Sequence, residues 1–297
     1  MTIHHAEVAR VATLSESMVR VTLSGGDLAD FVSTGVGDEY VRLFLPHGAD
    51  RHDLSLPQAL ADGGWRTPED RPTAPMRTYT IRAVRPDAGE IDIDFVRHDH
   101  GVASEWALGA RPGDPVGLTS PTGLYRPPAD LERQVLVSDL TGLPALARLL
   151  EQTPEGVRSR IAVEVPGAGS RQDLSVRPGD HLTWKYGGNG HGPCRLAELV
   201  AAQVPPGTDL TGGYVWVAGQ TNALRDVRRY LRKELGLPAD RFKVVGYWMP
   251  GSETWGDRYE ALPSTVKSEL TRMWDQPTGD EEDTTLDYET RLSELGL

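Results

Sequence analysis

The chain has 297 residues, enough for two domains, and 38% of them are hydrophobic, which suffices for a buried core in each. Its 43 acidic and 31 basic side chains give a net charge of −12, which disfavours nucleic acid and anionic membrane surfaces as partners. The single cysteine, Cys194, excludes an internal disulfide and any metal centre built on several cysteines. No signal peptide and no run of 18 apolar residues is present, so we expect a soluble cytoplasmic protein that acts on a small molecule.

Residues 1–127 show the alternation of apolar and polar side chains that is typical of half-buried β-strands. Strands are predicted over residues 18–24, 40–45, 77–84, 90–96 and 116–120. Together with a short helix near 103–108, this spacing predicts a small antiparallel β-barrel. Residues 46–76 are rich in Pro, Asp and Gly, and we expect them to form a long loop over the surface.

After a proline-rich linker at residues 126–130, strands alternate with helices as far as residue 252. The strands are predicted over residues 134–137, 161–165, 182–185, 213–219 and 242–248. The helices are predicted over residues 144–151, 195–203 and 222–235. This alternation predicts a parallel sheet, which binds ligands at the carboxyl ends of its strands. Residues 253–297 are expected to be a helical, acidic extension, with one helix over 259–274 and a solvated acidic run at 280–283.

The segment Arg77-Thr78-Tyr79-Thr80-Ile81-Arg82 is the most informative stretch of the predicted barrel. On a strand, Arg77 and Tyr79 point the same way, which places a cation for a phosphate beside an aromatic plate. Thr80 adds a hydroxyl and a backbone N–H that can reach a ring nitrogen. A dinucleotide with a flat heterocycle needs this combination, although an ordinary barrel strand with solvated arginines has the same pattern.

A second segment, residues 98–107, follows a strand and begins a helix through small residues. Exposed N–H groups at a helix start, beside the hydroxyl of Ser104, would form a cradle for a pyrophosphate. An ordinary N-capped helix is the alternative interpretation. His98 and His100, with Asp99 between them, also raise the hypothesis of a metal site, but no third ligand is evident and we predict none.

Two other features are discounted. The glycine-rich run at residues 187–192 lacks the Gly-Lys-Ser/Thr of a P-loop and does not begin a dinucleotide fingerprint, so we interpret it as a flexible loop. Cys194 has no Cys–His–acid spacing and is interpreted as structural.

Taken together, these stretches resemble the siderophore-interacting proteins, a branch of the ferredoxin–NADP reductase-like flavoproteins. The resemblance spans roughly residues 6–252 in the family's order and is carried by the motifs at residues 77–82, 92–107, 111–114, 139–145, 214–219 and 246–248. It implies an N-terminal antiparallel FAD-binding barrel (1–127), a parallel-sheet nicotinamide-binding domain (128–252) and a C-terminal extension (253–297). The implied activity is electron transfer from NADPH or NADH through FAD to a ferric siderophore, with release of Fe(II).

The resemblance also implies residue roles. Arg77 would contact an FAD phosphate, Tyr79 would pack on the isoalloxazine and Thr80 would approach its N5 edge. The remaining FAD-binding residues would be Phe95, Val96, His98, Gly101, Val102, Ala103 and Ser104, the last four holding the pyrophosphate. The nicotinamide side would be lined by Asp139, Thr141, Pro144, Gly219 and Gln220. Tyr79, Thr80 and Trp248 are the predicted catalytic residues, although core packing is an equal alternative for Trp248.

Four residues, Thr122, Leu140, Gln220 and Met249, depart from the family's usual pattern. All lie on the presumed nicotinamide or substrate side, so FAD binding is left intact. They keep open a neutral organic metabolite as the acceptor, or a non-catalytic binding protein on the same scaffold. The choice between NADH and NADPH is also open, with Lys185, Arg225 and Arg228 as candidates for contact with a 2′-phosphate.

Overall fold

A computed structural model describes residues 2–46, 50–60, 64–69, 72–98, 101–277 and 279–297. The chain forms two compact units, each with its own hydrophobic core. The first unit consists of Met1–Tyr125, Pro144–Thr153 and Ala168–Ser175. The second unit consists of Arg126–Leu143, Pro154–Gly167 and Val176–Leu297.

The first unit is built on a closed antiparallel barrel, as predicted. Its chain order is β1 (Ile3–Ser15), β2 (Met18–Ser24), β3 (Tyr40–Phe44), the short hairpin of β4 (Gln58–Ala59) and β5 (Trp65–Arg66), β6 (Met76–Arg85), β7 (Glu90–Val96), α1 (Val102–Gly109) and β8 (Pro115–Thr119). The barrel itself has the strand order β1-β2-β7-β6-β3-β8. The sequence pattern missed β1, because only its first half alternates between buried and exposed residues and its second half is exposed on both faces.

Strand β7 explains how the barrel is both filled and covered. Ile91, Ile93 and Phe95 point into the core, as their alternation predicts. Asp92 and Asp94 point outwards but are buried as well, because arginines of neighbouring strands cover them. Arg20 Nε, for example, lies 2.6 Å from Asp94 Oδ1.

The second unit contains a five-stranded parallel sheet, which confirms the second half of the predicted fold. The strands are β9 (Arg133–Asp139), β10 (Arg158–Val165), β11 (His181–Tyr186), β12 (Gly213–Gln220) and β13 (Phe242–Trp248), in the order β11-β10-β9-β12-β13. The helices between them are α2 (Leu143–Glu151), α3 (Leu196–Gln203) and α4 (Thr221–Arg229), which a π-helical turn extends over Tyr230–Glu234. Connections leave β9 in one direction and β12 in the other, so the carboxyl ends of these strands form the crevice where such sheets bind ligands.

The C-terminal residues form α5 (Ser252–Glu260), α6 (Ser264–Asp275) and α7 (Glu281–Glu294). The prediction of one helix over 259–274 is wrong, because Pro263 has no backbone N–H and separates α5 from α6. No helix among the described residues is long and apolar enough to cross a membrane.

The prediction that the acidic run at 280–283 is solvated holds for Asp280 and Glu281, which are exposed, but is wrong for Glu282. Asp280 caps α7 by accepting hydrogen bonds from the backbone N–H groups of Glu282 and Asp283. Glu282 is buried and lies 3.0 Å from Arg228 Nε, while Asp283 pairs with Arg232. The run therefore neutralises basic side chains of α4 and of the turn that follows it.

Candidate functional site

The aromatic part of the predicted flavin site is present in the first unit. The rings of Tyr79 on β6 and Phe95 on β7 lie 4.3 Å apart, centroid to centroid, with an interplanar angle of 39°. Trp106 of α1 also packs against Phe95, with the ring centroids 5.6 Å apart. Burial raises the pKa of Tyr79 to about 12, so this phenol stays protonated and uncharged at neutral pH.

Arg77 and Tyr79 share one face of β6. Their partners on β3 are Leu43 and Val41, both of which are core residues of the barrel. Arg77 is exposed and donates to the carbonyl of Met76 at 2.9 Å, and no carboxylate among the described residues pairs with it. Its positive charge is therefore available to an anionic ligand.

Thr80, in contrast, points to the opposite face of β6 from Arg77 and Tyr79. It is opposite Tyr40 on β3 and is 7% exposed. A role for Thr80 at the same ligand would therefore use its backbone rather than its side chain.

The turn that begins α1 is shaped for an anion. Gly101 has φ +108°, and a Cβ there would lie 2.9 Å from Cε1 of His98, so the position requires glycine. The hydroxyl of Ser104 accepts from the backbone N–H of His98 at 3.0 Å and donates to its carbonyl at 2.9 Å, which closes the turn. No side chain caps this helix, and within the described residues no group accepts from the N–H of Val102, Ala103 or Ser104.

These features fit FAD. The first N–H groups of α1 would suit a pyrophosphate, Arg77 would offer it a cation, and the ring of Tyr79, backed by the buried Phe95, would suit contact with a flat ring. Val96 is half-buried at the end of β7, and His98 is exposed beside Gly101. Asp99 and His100 of the discounted metal hypothesis lie outside the described residues, and the residues that are described contain no group of three potential ligands for a metal ion.

In the second unit, Asp139 organises the carboxyl end of β9. Its carboxylate accepts hydrogen bonds from Thr141 N at 2.8 Å, from Thr141 Oγ1 at 2.6 Å and from the indole Nε1 of Trp248 at 2.6 Å. Burial raises the pKa of Asp139, and the bonds from Thr141 and Trp248 oppose that shift. Gly219 is required beside it, because a Cβ there would lie 2.7 Å from the carboxyl carbon of Asp139.

The other predicted nicotinamide-side residues are more dispersed. Gln220 ends β12, and its Nε2 donates to Asn222 Oδ1 at 2.7 Å. Pro144 is buried in the first turn of α2 and belongs to the first unit. Arg228 is buried and pairs with Glu282 and Glu289 of α7, so its charge is already neutralised.

Sequence reasoning missed two residues at the strand ends. Glu164, on β10 opposite Asp139, is fully buried and accepts from Arg195 N at 2.9 Å. Its burial raises its own pKa, and burial also raises the pKa of the neighbouring Cys194 to about 12. Asn189 accepts from Leu140 N at 3.2 Å. The available signals were a lone charge inside an apolar strand and an asparagine between two glycines.

Comparison with known proteins gives concordant matches over most of the chain. Residues 7–125 match the family described as siderophore-interacting FAD-binding domain, and residues 131–251 match the family described as siderophore-interacting protein. The chain is 31% identical to the NADPH-dependent ferric-chelate reductase of Escherichia coli over 246 residues, which are 81% of this chain and 91% of that protein. It is 29% identical to the ferric vibriobactin reductase ViuB of Vibrio cholerae over 248 residues, 82% and 89% of the two chains.

The fold comparison agrees with the sequence matches. The crystal structure of the siderophore-interacting protein SipS from Aeromonas hydrophila superposes with a TM-score of 0.71 at 29% identity, covering 87% of this chain and 96% of that one. The matches confirm the predicted family resemblance, the two-part fold and FAD as the cofactor.

Proposed function

Because the chain belongs to the siderophore-interacting protein family and is an FAD-dependent oxidoreductase, we propose that it transfers electrons from NADPH or NADH through FAD to a ferric siderophore, releasing Fe(II). The observation that carries the proposal is the open start of α1, where three backbone N–H groups without acceptors among the described residues lie next to the turn at Gly101. The names of the relatives, a ferric vibriobactin reductase and an NADPH-dependent ferric-chelate reductase, support the acceptor and the donor.

The proposed division of labour follows the chain. Residues 1–127 form the FAD-binding barrel, residues 128–252 bind the nicotinamide, and residues 253–297 are a helical extension. In the barrel, Arg77 holds an FAD phosphate, Tyr79 packs on the isoalloxazine, and the backbone of residues 101–104 holds the pyrophosphate.

FAD held by these residues would supply the redox chemistry, which is hydride acceptance from the nicotinamide and single-electron transfer to ferric iron. The chain supplies binding and electrostatics. Tyr79 is uncharged at neutral pH, so its ring and hydroxyl orient the flavin without adding charge beside it. Asp139 holds Trp248 through the indole N–H, and this fixes a large ring at the carboxyl end of β13, on the proposed nicotinamide side. Iron is released because oxygen ligands attract Fe(II) less strongly than Fe(III).

A visible spectrum followed by anaerobic titration tests this proposal. We expect purified protein to be yellow or to become so on addition of FAD, to bleach with NADPH or NADH, and to recolour when a ferric siderophore is added, with Fe(II) trapped by a chelator. Protein that takes up no flavin, or whose reduced flavin is not reoxidised by ferric siderophores, contradicts it.

A pair of glycine variants tests the cradle itself. Gly101→Ala should lower FAD affinity, because the residue has φ +108° and its Cβ would meet His98. Gly109→Ala, at the other end of the same helix, is the matched control, because a Cβ there meets nothing within 4 Å. Equal FAD affinity in the two variants would contradict the proposed binding of the pyrophosphate at the start of α1.

A further inference from the structure

The glycine-rich loop of residues 187–192 lies over the carboxyl ends of β9 and β10. The N–H of Gly187 donates to the carbonyl of Val165, the last residue of β10, at 3.0 Å. Gly188 lies against Glu164, since a Cβ on Gly188 would be 2.3 Å from the carboxyl carbon. The side-chain oxygen of Asn189 accepts from the backbone N–H of Leu140 at 3.2 Å, directly after β9. The loop is therefore attached to both strand ends.

Asn189 has an unusual conformation that serves this contact. Its φ is +55°, and it is the only non-glycine residue with positive φ in the described part of the chain. Asparagine adopts this left-handed conformation more readily than other residues with a side chain. The neighbouring Gly187 and Gly190 also have positive φ. The loop is thus folded into one specific turn that points the Asn189 amide at Leu140.

The N–H of Leu140 lies where parallel sheets of this kind bind phosphate, in the turn between the first strand and its helix. The next two N–H groups of the turn are bonded within it, Thr141 N to the Asp139 carboxylate and Gly142 N to the Asp139 carbonyl. Only the N–H of Leu140 is held by a side chain from a separate loop. At the start of α1, by contrast, no side chain among the described residues accepts a hydrogen bond from the first N–H groups of the helix.

Buried polar atoms at the same strand ends indicate that the closed arrangement is incomplete. Oε2 of Glu164 and Oγ of Ser138 are buried and have no hydrogen-bond partner among the described residues. Ser138 lies against the turn, because a Cβ added to Gly142 would be 2.8 Å from the Cβ of Ser138. Buried polar atoms without partners are costly, so a ligand oxygen that accepts from the Ser138 hydroxyl gains from satisfying it.

We propose that residues 187–192 form a lid over the phosphate-binding turn, and that Asn189 is a positioning residue that holds the lid closed on Leu140 until a phosphate of the dinucleotide replaces its amide oxygen. This inference rests on the proposed use of NADPH or NADH. An anionic phosphate oxygen makes a stronger hydrogen bond to the N–H than a neutral amide oxygen does, so the exchange is favourable. The closed lid keeps Glu164 and the turn away from water when no dinucleotide is bound.

Calorimetric titration of NADP+ and NAD+ into the oxidised, FAD-loaded protein tests the lid without turnover. Asn189→Gly removes the competing oxygen and keeps a residue that tolerates positive φ, so we expect the dissociation constant to fall about two- to tenfold, the range of one neutral hydrogen bond. Asn189→Asp keeps the acceptor and the conformation but adds a negative charge, so the dissociation constant should rise. His191→Gly adds a glycine to the same loop but keeps the hydrogen bond between Asn189 and Leu140. It should change the dissociation constant less than twofold.

Amide hydrogen exchange at Leu140 is the second measurement. Exchange should be faster in Asn189→Gly than in the unaltered protein, and NADP+ or NAD+ should slow it in both. Weaker binding by Asn189→Gly, or equal binding by the Gly and Asp variants, would overturn the lid while leaving the proposed function intact. Absence of binding and of flavin reduction by either nucleotide in every variant would instead refute the proposed donor, and the lid with it.

Discussion

Glu39 and Arg148 form a buried ion pair in the first unit, and their removal gives a sharp test of how the barrel is held. Arg148 Nη2 lies 2.8 Å from Glu39 Oε1, and the two side chains are 8% and 0% exposed. Arg148 Nη1 also donates to the carbonyl of Ile81 at 2.9 Å, next to Thr80 on β6. Glu39 Oε2 accepts from the N–H and the hydroxyl of Thr34, both at 2.6 Å.

Glu39→Gln leaves the guanidinium of Arg148 buried without its counter-charge. Breaking a buried pair by removing one partner costs about 3–5 kcal/mol of unfolding free energy. Arg148→Met instead leaves the Glu39 carboxylate buried without its counter-charge and should cost a similar amount of unfolding free energy. The double variant removes both charges, so its loss should be smaller than the sum of the two single losses by about 1–3 kcal/mol.

A second ion pair holds α2 at the surface and serves as a comparison. Arg82 on β6 pairs with Glu151 on α2, but the Glu151 side chain is 42% exposed. Exposed ion pairs contribute about 0–1 kcal/mol to stability, so Glu151→Gln should hardly change the unfolding free energy. Urea unfolding, followed by circular dichroism and by flavin fluorescence, measures both. A loss below about 1 kcal/mol for Glu39→Gln, or additive single and double losses, would refute the reasoning.

Three further predictions follow from the charges and burial of the fold. Hydrogen bonds from Arg10 and Arg85 lower the pKa of Glu90 to about 2, so this stabilisation is present above about pH 4.5 and is lost as the pH falls towards 2. Arg10→Met should therefore destabilise the protein more at pH 7 than at pH 2, and equal losses at both would contradict this. Arg228→Met removes the guanidinium that pairs with both Glu282 and Glu289 of α7, so limited proteolysis should cut between α6 and α7 faster than in the unaltered protein; unchanged cleavage counts against that anchor. The pKa of Cys194 is raised to about 12, so alkylation of the native protein at pH 8 should be far slower than after unfolding.

Periodic, local patterns allowed both halves of the fold to be predicted. The alternation of Ile91, Ile93 and Phe95 marks a strand wherever it is placed, and strands that alternate with helices require parallel crossovers. Prediction failed where the pattern is not local. The second half of β1 is exposed on both faces, and the acidic run at 280–283 is neutralised by Arg228 and Arg232, which lie about fifty residues away in the chain.

In the candidate site, too, the local segments could be predicted from the sequence and the long-range contacts could not. The candidate motifs at residues 77–82 and 98–107 could be picked out from the sequence because each is a continuous segment. The partners of Asp139 and Leu140 could not, because Trp248 is 109 residues from Asp139 and Asn189 is 49 residues from Leu140. The order of residues thus determined the two-part fold and allowed a flavin cradle to be predicted, since both depend on neighbours in the chain. Only the folded sheet decided which side chains meet at the strand ends, because hydrogen bonds and burial depend on distance in space.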